Sequence, residues 1–422
     1  MNYKKYKFLT SFFAPLIVVW LRFRLWRGKE DAARFGERLG FSKQTRPEGV
    51  LVWVHAASVG EVNSAFPLIF DIQTRFPDVR ILLTTGTVTS AKLVVSKNLQ
   101  NVIHQYIPID TPEATNRFLR RFRPDIGFWV ESELWPNLVV NARARGCFMI
   151  IVNGRMSTRS FDKWQKHALQ MILQMMSCFE LVFAQSEVDA QRFRALGARD
   201  ARVVGNIKYD ADVLSCIEGE LFALQKTIKN RPIWLAASTH ADEEIAIAKT
   251  HKIIAKNYPN LLTIIAPRHP KRAAEISGKI SKYGNVSIRS RAEKITPQTS
   301  FYIADTIGEL GLFYRLCEIV FMGGSLIPHG GQNPLEPLRL RCAIITGANT
   351  NNFAEMYTEM EKLAICERAN SPQEIADHVL HLLKTPDALI EKQAISKEWL
   401  KGKSGAITRM LNAIAPIFAP VE

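Results

Sequence analysis

The strongest constraint on the fold of this chain is a repeated alternation between short apolar runs and longer amphipathic segments. The apolar runs have the length of strands and the amphipathic segments the length of helices, a pattern typical of parallel sheets with right-handed crossovers. The strands predicted in the first half are Leu51–His55, Arg80–Thr85, Val102–Ile107, Ile126–Val130, Phe148–Val152, Leu181–Ala184 and Ala201–Val204. Those predicted in the second half are Ile233–Ala237, Leu261–Ala266, Phe301–Ile303, Ile319–Met322 and Ala343–Thr346.

Two series of such strands predict two domains. The segment from Asp210 to Arg231 separates the series and ends in Asn-Arg-Pro. A chain of 422 residues that is 47% hydrophobic can bury two cores of ordinary size. We therefore predict an α/β protein with two Rossmann-like domains facing a cleft, divided into residues 1–27, 28–210, a linker at 211–231, and 232–422.

A glycine-rich stretch, Phe321 to Pro337, follows one of the predicted strands. Its paired glycines allow positive φ and a close approach of backbone to a ligand. Pro334 suits the first turn of a helix, whose free N–H groups favour a phosphate. Glu336, one turn further on, is placed to accept a hydrogen bond from a ribose hydroxyl. The alternative is an ordinary glycine-rich turn of a doubly wound domain.

A carboxylate also follows the first predicted strand, where Ser58-Val-Gly-Glu61 comes directly after LVWVHAA. Open α/β sheets build their sites at the carboxyl ends of parallel strands, which makes Glu61 a candidate catalytic base. The same Ser-x-x-Glu spacing is a capping box, in which Glu61 only closes the start of a helix. The pattern alone leaves both interpretations open.

The charge of the chain is concentrated at its amino-terminal end. The formal net charge is +15, and residues 1–46 hold 11 Lys or Arg against 3 Asp or Glu. Among them lies FLTSFFAPLIVVWL, an apolar run interrupted by Pro15 and shorter than the roughly 18 residues of a spanning helix. Residues 1–27 therefore predict a helix at an anionic membrane surface. A nucleic-acid arm and an ordinary buried helix are the alternatives, and bulky aliphatic residues argue against nucleic acid.

The six cysteines give no sign of a metal site or a disulfide framework. They are scattered over positions 147 to 366 and form no C-x-x-C motif. No Asp-x-Asp pair stands at the end of a predicted strand either. This distribution fits a reducing compartment, and we expect neither a bound metal nor a cofactor.

Taken together, ten sequence blocks resemble one family, the bacterial 3-deoxy-D-manno-octulosonic acid (Kdo) transferases of lipid A synthesis. The resemblance runs along nearly the whole chain. The blocks are RFGERLG (34–40), HAASVGE (55–61), TTGTVTSA (84–91), ESELWPN (131–137), NGRMSTRS (153–160), GNIKYD (205–210), STHADEE (238–244), APRHPKR (266–272), DTIGEL (305–310) and GGQNPLE (330–336).

The resemblance implies an inverting, metal-independent glycosyltransferase of the GT-B type. Its implied donor is CMP-Kdo and its implied acceptor a lipid A precursor, on the cytoplasmic side of the bacterial inner membrane. It also implies that the N-terminal domain binds the acceptor and the C-terminal domain binds the CMP-sugar. A UDP-sugar transferase on another lipid, or a non-catalytic sugar-nucleotide-binding module, remain alternatives.

The resemblance also carries roles onto individual residues. It makes Glu61 the proton acceptor and assigns stabilisation of the transition state to Glu131 and Lys208, although a lone lysine is more often a solvated surface residue. It assigns contacts with CMP to Pro267, Arg268, Ile307, Gly308, Glu309, Asn333, Pro334, Leu335 and Glu336. Of two further candidates, we expect Trp135 to be a core residue and His55 to be a satisfied histidine rather than a base.

Overall fold

The computed structural model describes residues 1–418, which form two compact units. The first unit comprises Met1–Ala211 together with the chain from Lys403 onward, and the second comprises Asp212–Gly402. Each unit contains one sheet of seven strands with helices packed on it. The predicted α/β class with two Rossmann-like units is therefore confirmed.

The sheet of the first unit is entirely parallel. Its strands are β1 (Leu51–His55), β2 (Arg80–Thr85), β3 (Val102–Tyr106), β4 (Ile126–Val130), β5 (Phe148–Gly154), β6 (Leu181–Ala184) and β7 (Ala201–Val203). They lie in the order β3-β2-β1-β4-β5-β6-β7. The chain starts at the centre, builds outward on one side and then returns to build the other side. This reversal leaves a crevice at the carboxyl ends of β1 and β4, where doubly wound proteins bind their ligands.

The helices of the first unit follow its strands. They are α1 (Tyr3–Phe12), α2 (Ala14–Trp26), α3 (Phe35–Arg38), α4 (Val59–Arg75), α5 (Val88–Ser96), α6 (Pro112–Phe122), α7 (Pro136–Ala144), α8 (Thr158–Met176) and α9 (Glu187–Ala195). Alternate residues of β1 pack on opposite faces of the sheet, with Trp53 in one core and Val52 and Val54 in the other. Both faces are covered, as a parallel sheet requires.

The second unit repeats this topology. Its strands are β8 (Ile233–Thr239), β9 (Leu262–Pro267), β10 (Asn285–Ile288), β11 (Thr299–Ile303), β12 (Ile319–Met322), β13 (Ala343–Thr346) and β14 (Cys366–Arg368). They pair in parallel in the order β10-β11-β9-β8-β12-β13-β14. The crevice of this sheet therefore lies at the carboxyl ends of β8 and β12.

The helices after β7 are numbered on in chain order. They are α10 (Glu218–Ile228), α11 (Glu243–Ala255), α12 (Ala273–Ile280), α13 (Leu310–Leu316), α14 (Leu335–Arg339), α15 (Ala354–Lys362), α16 (Pro372–Lys384), α17 (Pro386–Lys403) and α18 (Ala406–Ile414). Trp234 and Phe321, from the two central strands, lie in the main core of this unit.

The observed units differ from the predicted domain boundaries in two places. The segment 211–231, predicted as a linker, contains α10 and belongs to the second unit. The last helix, α18, packs against the sheet of the first unit, where Ile407, Met410 and Leu411 are buried in its core. The carboxylate of Asp210 accepts hydrogen bonds from the backbone N–H groups that begin this helix. Sequence order alone gives no sign that the chain returns to its first unit.

The amino-terminal segment forms two helices rather than one. α1 and α2 meet at a bend of 63° next to Pro15, and in the part of the chain described here no single helix is long and apolar enough to span a membrane. The bent pair passes that test of length and composition only when its two helices are taken together. Leu21 of α2 is fully buried and packs beside Ile109 and Ala114. One stripe of this segment is therefore part of the folded unit.

Candidate active site

Glu61 lies at the crevice of the first sheet, in the first turn of α4. The side chain of Ser58 caps this helix by accepting a hydrogen bond from the N–H of Glu61. In return, Oε1 of Glu61 accepts from the Ser58 hydroxyl at 2.8 Å, and Oε2 accepts from the N–H of Ala57 at 2.8 Å. The capping interpretation is therefore correct in its geometry.

Besides capping the helix, Glu61 has the properties of a proton acceptor. Its side chain is buried, and burial raises the pKa of its carboxyl group to about 7 because the charged form loses hydration. The nearby carboxylates of Glu131 and Glu133 add to this rise, while the hydrogen bonds from Ser58 and Ala57 oppose it. A carboxyl group whose pKa lies near neutral pH is suited to accept a proton.

Glu131 and Lys208 form an ion pair at the same edge of the sheet. Glu131 follows β4 directly and takes a left-handed conformation, with φ of 63°. Its Oε1 lies 2.8 Å from Nζ of Lys208. Such a partly exposed pair contributes at most about 1 kcal/mol to stability. A left-handed non-glycine residue costs on the order of 1 kcal/mol or more, and such strain is common at functional sites.

Side-chain amides hold the backbone at Lys208 in place. Oδ1 of Asn153, at the end of β5, accepts from the N–H of Ile207 at 3.1 Å. Oδ1 of Asn206 accepts from the N–H of Lys208 at 2.9 Å, and its Nδ2 donates to Gln185. Lys208 is therefore positioned from two strand ends. The ion pair with Glu131 distinguishes Lys208 from the alternative of a freely solvated surface lysine.

The structure corrects one expectation at this edge and refines another. Trp135 is exposed rather than part of the core, and its Nε1–H donates to Glu133 at 3.0 Å. His55 is fully buried, and burial lowers its pKa to about 4. Its Nδ1 is 3.0 Å from the Thr84 hydroxyl, whereas its Nε2 has no hydrogen-bond partner within the described chain. A buried neutral ring of this kind is not accessible as a base.

In the second unit the paired glycines follow β12, as predicted, but they approach protein atoms. A Cβ on Gly323 would lie 2.5 Å from the carbonyl oxygen of Ser238, and one on Gly330 would lie 2.7 Å from the side chain of Asn352. A side chain at residue 323 would clash with backbone, and one at residue 330, where φ is 103°, would force Asn352 to move. The expected closeness to a ligand is therefore not what requires glycine at these two positions.

A buried carboxylate holds the turn after β12. Oε2 of Glu243, in the first turn of α11, accepts from the N–H groups of His240 and Gly324, and its Oε1 accepts from those of Ser325 and Leu326. These four bonds span 2.7 to 3.0 Å. Glu243 is thus a structural residue that fixes the glycine turn.

The residues expected to contact CMP lie in several loops of the second unit. Pro267 ends β9, and Arg268, directly after it, is exposed. Its positive charge lies close enough to lower the pKa of Glu336, although burial, the larger cause, raises that pKa overall. Asn333 accepts from the N–H of Leu335, the first residue of the short helix that follows, at 3.1 Å.

The expectation for Pro334 is corrected by this geometry. Pro334 is the residue that precedes α14, and α14 has only five residues, so its dipole is small. The residues before Leu310, where α13 begins, form a loop. In that loop Ile307 is almost fully exposed and Gly308 has φ of 88°.

Glu309 is committed to protein contacts. Arg289 donates to both of its oxygens at 2.6 Å, and the Thr306 hydroxyl donates to Oε2. The guanidinium group of Arg289 lowers the pKa of Glu309. The loop borders a cavity of about 1120 Å³ that Arg289 and Tyr302 also line. A ligand in this cavity would meet the backbone of Gly308 rather than a free carboxylate of Glu309.

Comparison with known proteins identifies the family of the chain. Residues 33–211 match the family model described as 3-deoxy-D-manno-octulosonic-acid transferase (kdotransferase). The 3-deoxy-D-manno-octulosonic acid transferase of Haemophilus influenzae is 33% identical over 411 residues, covering 95% of this chain and 95% of the relative. The chain belongs to the Kdo transferase family. The predicted family and its glycosyltransferase activity are thereby confirmed.

A solved structure agrees with the fold. The UDP-GlcNAc 2-epimerase of Neisseria meningitidis matches with a TM-score of 0.60 at 13% identity, covering 87% of this chain and all of that one. At this identity the likeness concerns the fold alone. The C-terminal CMP-Kdo binding domain of WaaA from Acinetobacter baumannii is 31% identical, with a TM-score of 0.41, and covers 43% of this chain and 95% of that domain.

Several residues of this Kdo transferase that shape the site were missed by sequence reasoning. Asn153 and Asn206 position Lys208, and Glu243 fixes the glycine turn. Arg272 pairs with the buried Glu244 at 2.8 Å. All of these residues lie inside the sequence blocks quoted above, which is the only signal that could have pointed to them. Their contacts join segments far apart in the chain.

Proposed function

We propose that this enzyme transfers Kdo from CMP-Kdo to a hydroxyl group of a lipid A precursor, with inversion at the anomeric carbon. The observation that carries the proposal is the environment of Glu61. Its buried carboxyl group has a pKa of about 7 and lies at the crevice of the first sheet. There it is accompanied by the Glu131–Lys208 ion pair. Membership of the Kdo transferase family supplies the identity of the sugar.

Glu61 acts as the general base in this proposal. Each of its oxygens accepts one hydrogen bond from the protein, so a second lone pair on each remains for the acceptor hydroxyl. As the hydroxyl oxygen bonds to the anomeric carbon, its proton passes to Glu61 and the bond to the CMP phosphate breaks. CMP leaves with the bonding electron pair. A single displacement of this kind needs no enzyme nucleophile.

Glu131 and Lys208 stabilise the developing charges. The transition state is expected to carry positive charge on the sugar ring and negative charge on the departing phosphate. The carboxylate of Glu131 stabilises the positive charge on the ring, and the ammonium group of Lys208 stabilises the negative charge on the phosphate. The 2.8 Å contact between the two side chains holds both in one orientation before substrate arrives.

The donor is assigned to the second unit. Arg268 is exposed and able to make a forked contact with the phosphate. Glu336, half-buried beside it, is placed for the ribose, and the backbone of the Ile307–Glu309 loop for the base. Because Arg268 and Lys208 supply positive charge, we propose transfer without a metal ion. A chelator should leave the rate unchanged, and a rate restored by added Mg²⁺ would contradict this part of the proposal.

The first two helices are proposed to hold the enzyme on the cytoplasmic face of the inner membrane. Phe8 and Phe12 are each 67% exposed on α1, and Trp20 and Trp26 are exposed on α2. Six basic residues lie among them, namely Lys4, Lys5, Lys7, Arg22, Arg24 and Arg27. Exposed aromatic and basic side chains together fit the surface of an anionic bilayer.

Substitution tests the membrane contact better than deletion, because α1 is also part of the fold. The hydroxyl of Tyr6 donates to the buried Asp110, and Asn137 donates to Thr10. We therefore replace only Phe8 and Phe12 by Ser and sediment the protein with phosphatidylglycerol vesicles. The matched control replaces Phe70 and Phe222, which are 65% and 69% exposed on α4 and α10.

Release of the α1 variant alone supports the membrane contact. Equal sedimentation of both variants and the unchanged protein would place the contact elsewhere.

The experiment that tests the main proposal measures product directly. Purified enzyme is incubated with CMP-Kdo and a tetraacylated, bisphosphorylated glucosamine disaccharide, and the lipid is analysed by mass spectrometry. We expect the acceptor to gain the mass of one or more Kdo residues. A parallel reaction with UDP-sugars should give no product. Product only from a UDP-sugar, or none from either donor, would overturn the assignment.

A further inference from the structure

Three histidines from separate loops meet at the crevice of the second sheet. His240 follows β8, His269 follows β9, and His329 lies in the loop after β12. The ring of His240 is 3.9 Å from that of His329, centroid to centroid, and 5.9 Å from that of His269. Strand ends from the centre of the sheet thus bring three imidazole groups together.

The surroundings of these rings are positively charged. Burial, the largest cause, lowers the pKa of His240 to about 4 together with the neighbouring His329, His269, Arg268 and Arg272. Arg272 is neutralised by its ion pair with Glu244. Within residues 1–418, however, the side chain of Arg268 forms no salt bridge, and the rings of His269 and His329 make no hydrogen bond. The cluster therefore offers donors and positive charge that the protein itself leaves unused.

The fold supports this cluster on two sides. The side-chain amide of Gln332 donates to Nε2 of His240 at 3.2 Å. A Cβ on Gly324, whose φ is 68°, would lie 3.2 Å from that amide nitrogen and 3.3 Å from Cδ2 of His240. The loop carrying His329 is fixed in turn where Asn352 packs against Gly330. The absence of a side chain at Gly324 thus leaves room for His240, and at Gly330 for Asn352 beside the loop that carries His329.

A metal centre does not explain the cluster. No group of three or more His, Cys, Asp or Glu side chains in the described part of the chain has a geometry that could hold a metal ion. Imidazole N–H groups beside a free guanidinium are instead suited to bind an anion.

We infer that His240, His269 and His329 form, beside Arg268, the pocket for the carboxylate of the donor sugar. This inference rests on the proposed function. In a CMP-linked 2-keto sugar acid, the anomeric carbon carries both the phosphate oxygen and the carboxylate. The proposed function assigns Arg268 to the phosphate, and its charge lies close enough to Glu336 to lower the pKa of that carboxyl group. The imidazoles beside it then take the second anion, which a neutral sugar nucleotide lacks.

The KM for CMP-Kdo and the inhibition constant of CMP together show whether the histidines bind the carboxylate or the phosphate of the donor. His269→Gln and His329→Gln are chosen because both rings are exposed, so neither substitution disturbs the core. We expect the KM for CMP-Kdo to rise roughly tenfold in each variant, as for a lost charge-assisted hydrogen bond. The inhibition constant of CMP, which has no carboxylate, should stay within about twofold. His381→Gln, an exposed histidine on α16, is the control and should change neither constant.

Every other outcome overturns the inference. If the KM for CMP-Kdo and the inhibition constant of CMP rise together, the cluster serves the phosphate. If neither changes, the histidines do not touch the donor. Failure of the proposed function is distinguishable, because the unchanged enzyme would then give no product from CMP-Kdo. In that case binding of CMP and of CMP-Kdo, measured by calorimetry, would still test the histidine variants.

Discussion

The helix starts of α4 and α16 have the same hydrogen bonds, but the pKa values of their glutamates are shifted in opposite directions. In α4, Glu61 accepts from the N–H of Ala57 and the hydroxyl of Ser58. In α16, Glu374 accepts from the N–H of Asn370 and the hydroxyl of Ser371, at 2.9 and 3.0 Å. The pKa of Glu61 is raised to about 7, whereas these hydrogen bonds lower the pKa of Glu374.

The difference comes from what surrounds each capping box. Glu374 is exposed, so the hydrogen bonds from Asn370 and Ser371 lower its pKa more than the loss of hydration raises it. Glu61 is buried beside Glu131 and Glu133. Burial and these two carboxylates raise its pKa more than the same two hydrogen bonds lower it. A Ser-x-x-Glu spacing thus makes a cap in both units. Only the tertiary environment turns one of the two caps into a candidate base.

The largest effect is expected from Glu61→Gln. We predict that turnover falls roughly 10²- to 10⁴-fold, since a general base typically contributes this much. The change should alter stability by only about 1 kcal/mol, because it affects a helix cap. Initial rates and thermal denaturation measure the two effects.

Glu374→Gln is the matched control for that experiment. It removes an equivalent cap, so stability should fall slightly and turnover should not change. A folded Glu61→Gln enzyme that works at a normal rate would show that the two helix starts do not differ in function.

A third helix-start carboxylate sharpens the comparison. Glu243 is buried like Glu61, but it accepts four backbone N–H groups. We predict that Glu243→Gln lowers the free energy of unfolding by about 2–3 kcal/mol, because one amide oxygen cannot replace both carboxylate oxygens. Denaturant unfolding measures this loss. A variant as stable as the unchanged protein would contradict the structural role of Glu243.

Substitutions at the donor site should have a smaller effect. Arg268→Ala and Glu336→Ala should each weaken CMP binding about tenfold, the first through the phosphate and the second through the ribose. Calorimetry with CMP measures both affinities. Lys256→Ala, an exposed lysine at the far end of α11, should leave the affinity unchanged. Unchanged affinity in both donor-site variants would place the nucleotide elsewhere.

The smallest effect concerns the dependence of the rate on pH. Because Glu61 must be deprotonated to act as a base, kcat/KM should rise with pH and level off above about 7. The carboxylate of Glu133 contributes to the raised pKa of Glu61, so Glu133→Gln should shift the profile to lower pH. Burial is the larger cause, so the shift should be modest. A shift to higher pH would contradict this electrostatic coupling.

The sequence predicted most of the fold because the central strands are continuous apolar runs. The strands it missed, β10 and β14, lie at the edges of the second sheet. Their sequences, Asn285-Val-Ser-Ile and Cys366-Glu-Arg, are short and partly polar, since an edge strand is only partly covered. An apolar pattern cannot reveal strands of this kind.

The candidate site was predictable only in part. Glu61 and Glu131 were recognisable because each follows a central strand of the predicted sheet. The neighbours of the glycines were not predictable, because Gly323 and Gly330 make room for Ser238 and Asn352, which are distant in sequence. A glycine-rich turn indicates that another group lies close to the backbone. It does not indicate whether that group belongs to a ligand or to the protein.

By itself, the sequence determined the order of strands and helices, the family, and the types of residue at the strand ends. These properties depend on local composition and on the spacing of residues along the chain. The tertiary structure decided that Glu61 is buried among other carboxylates, that three histidines converge, and that α18 returns to the first unit. Burial and charge depend on neighbours in space, and those neighbours come from segments that only folding brings together.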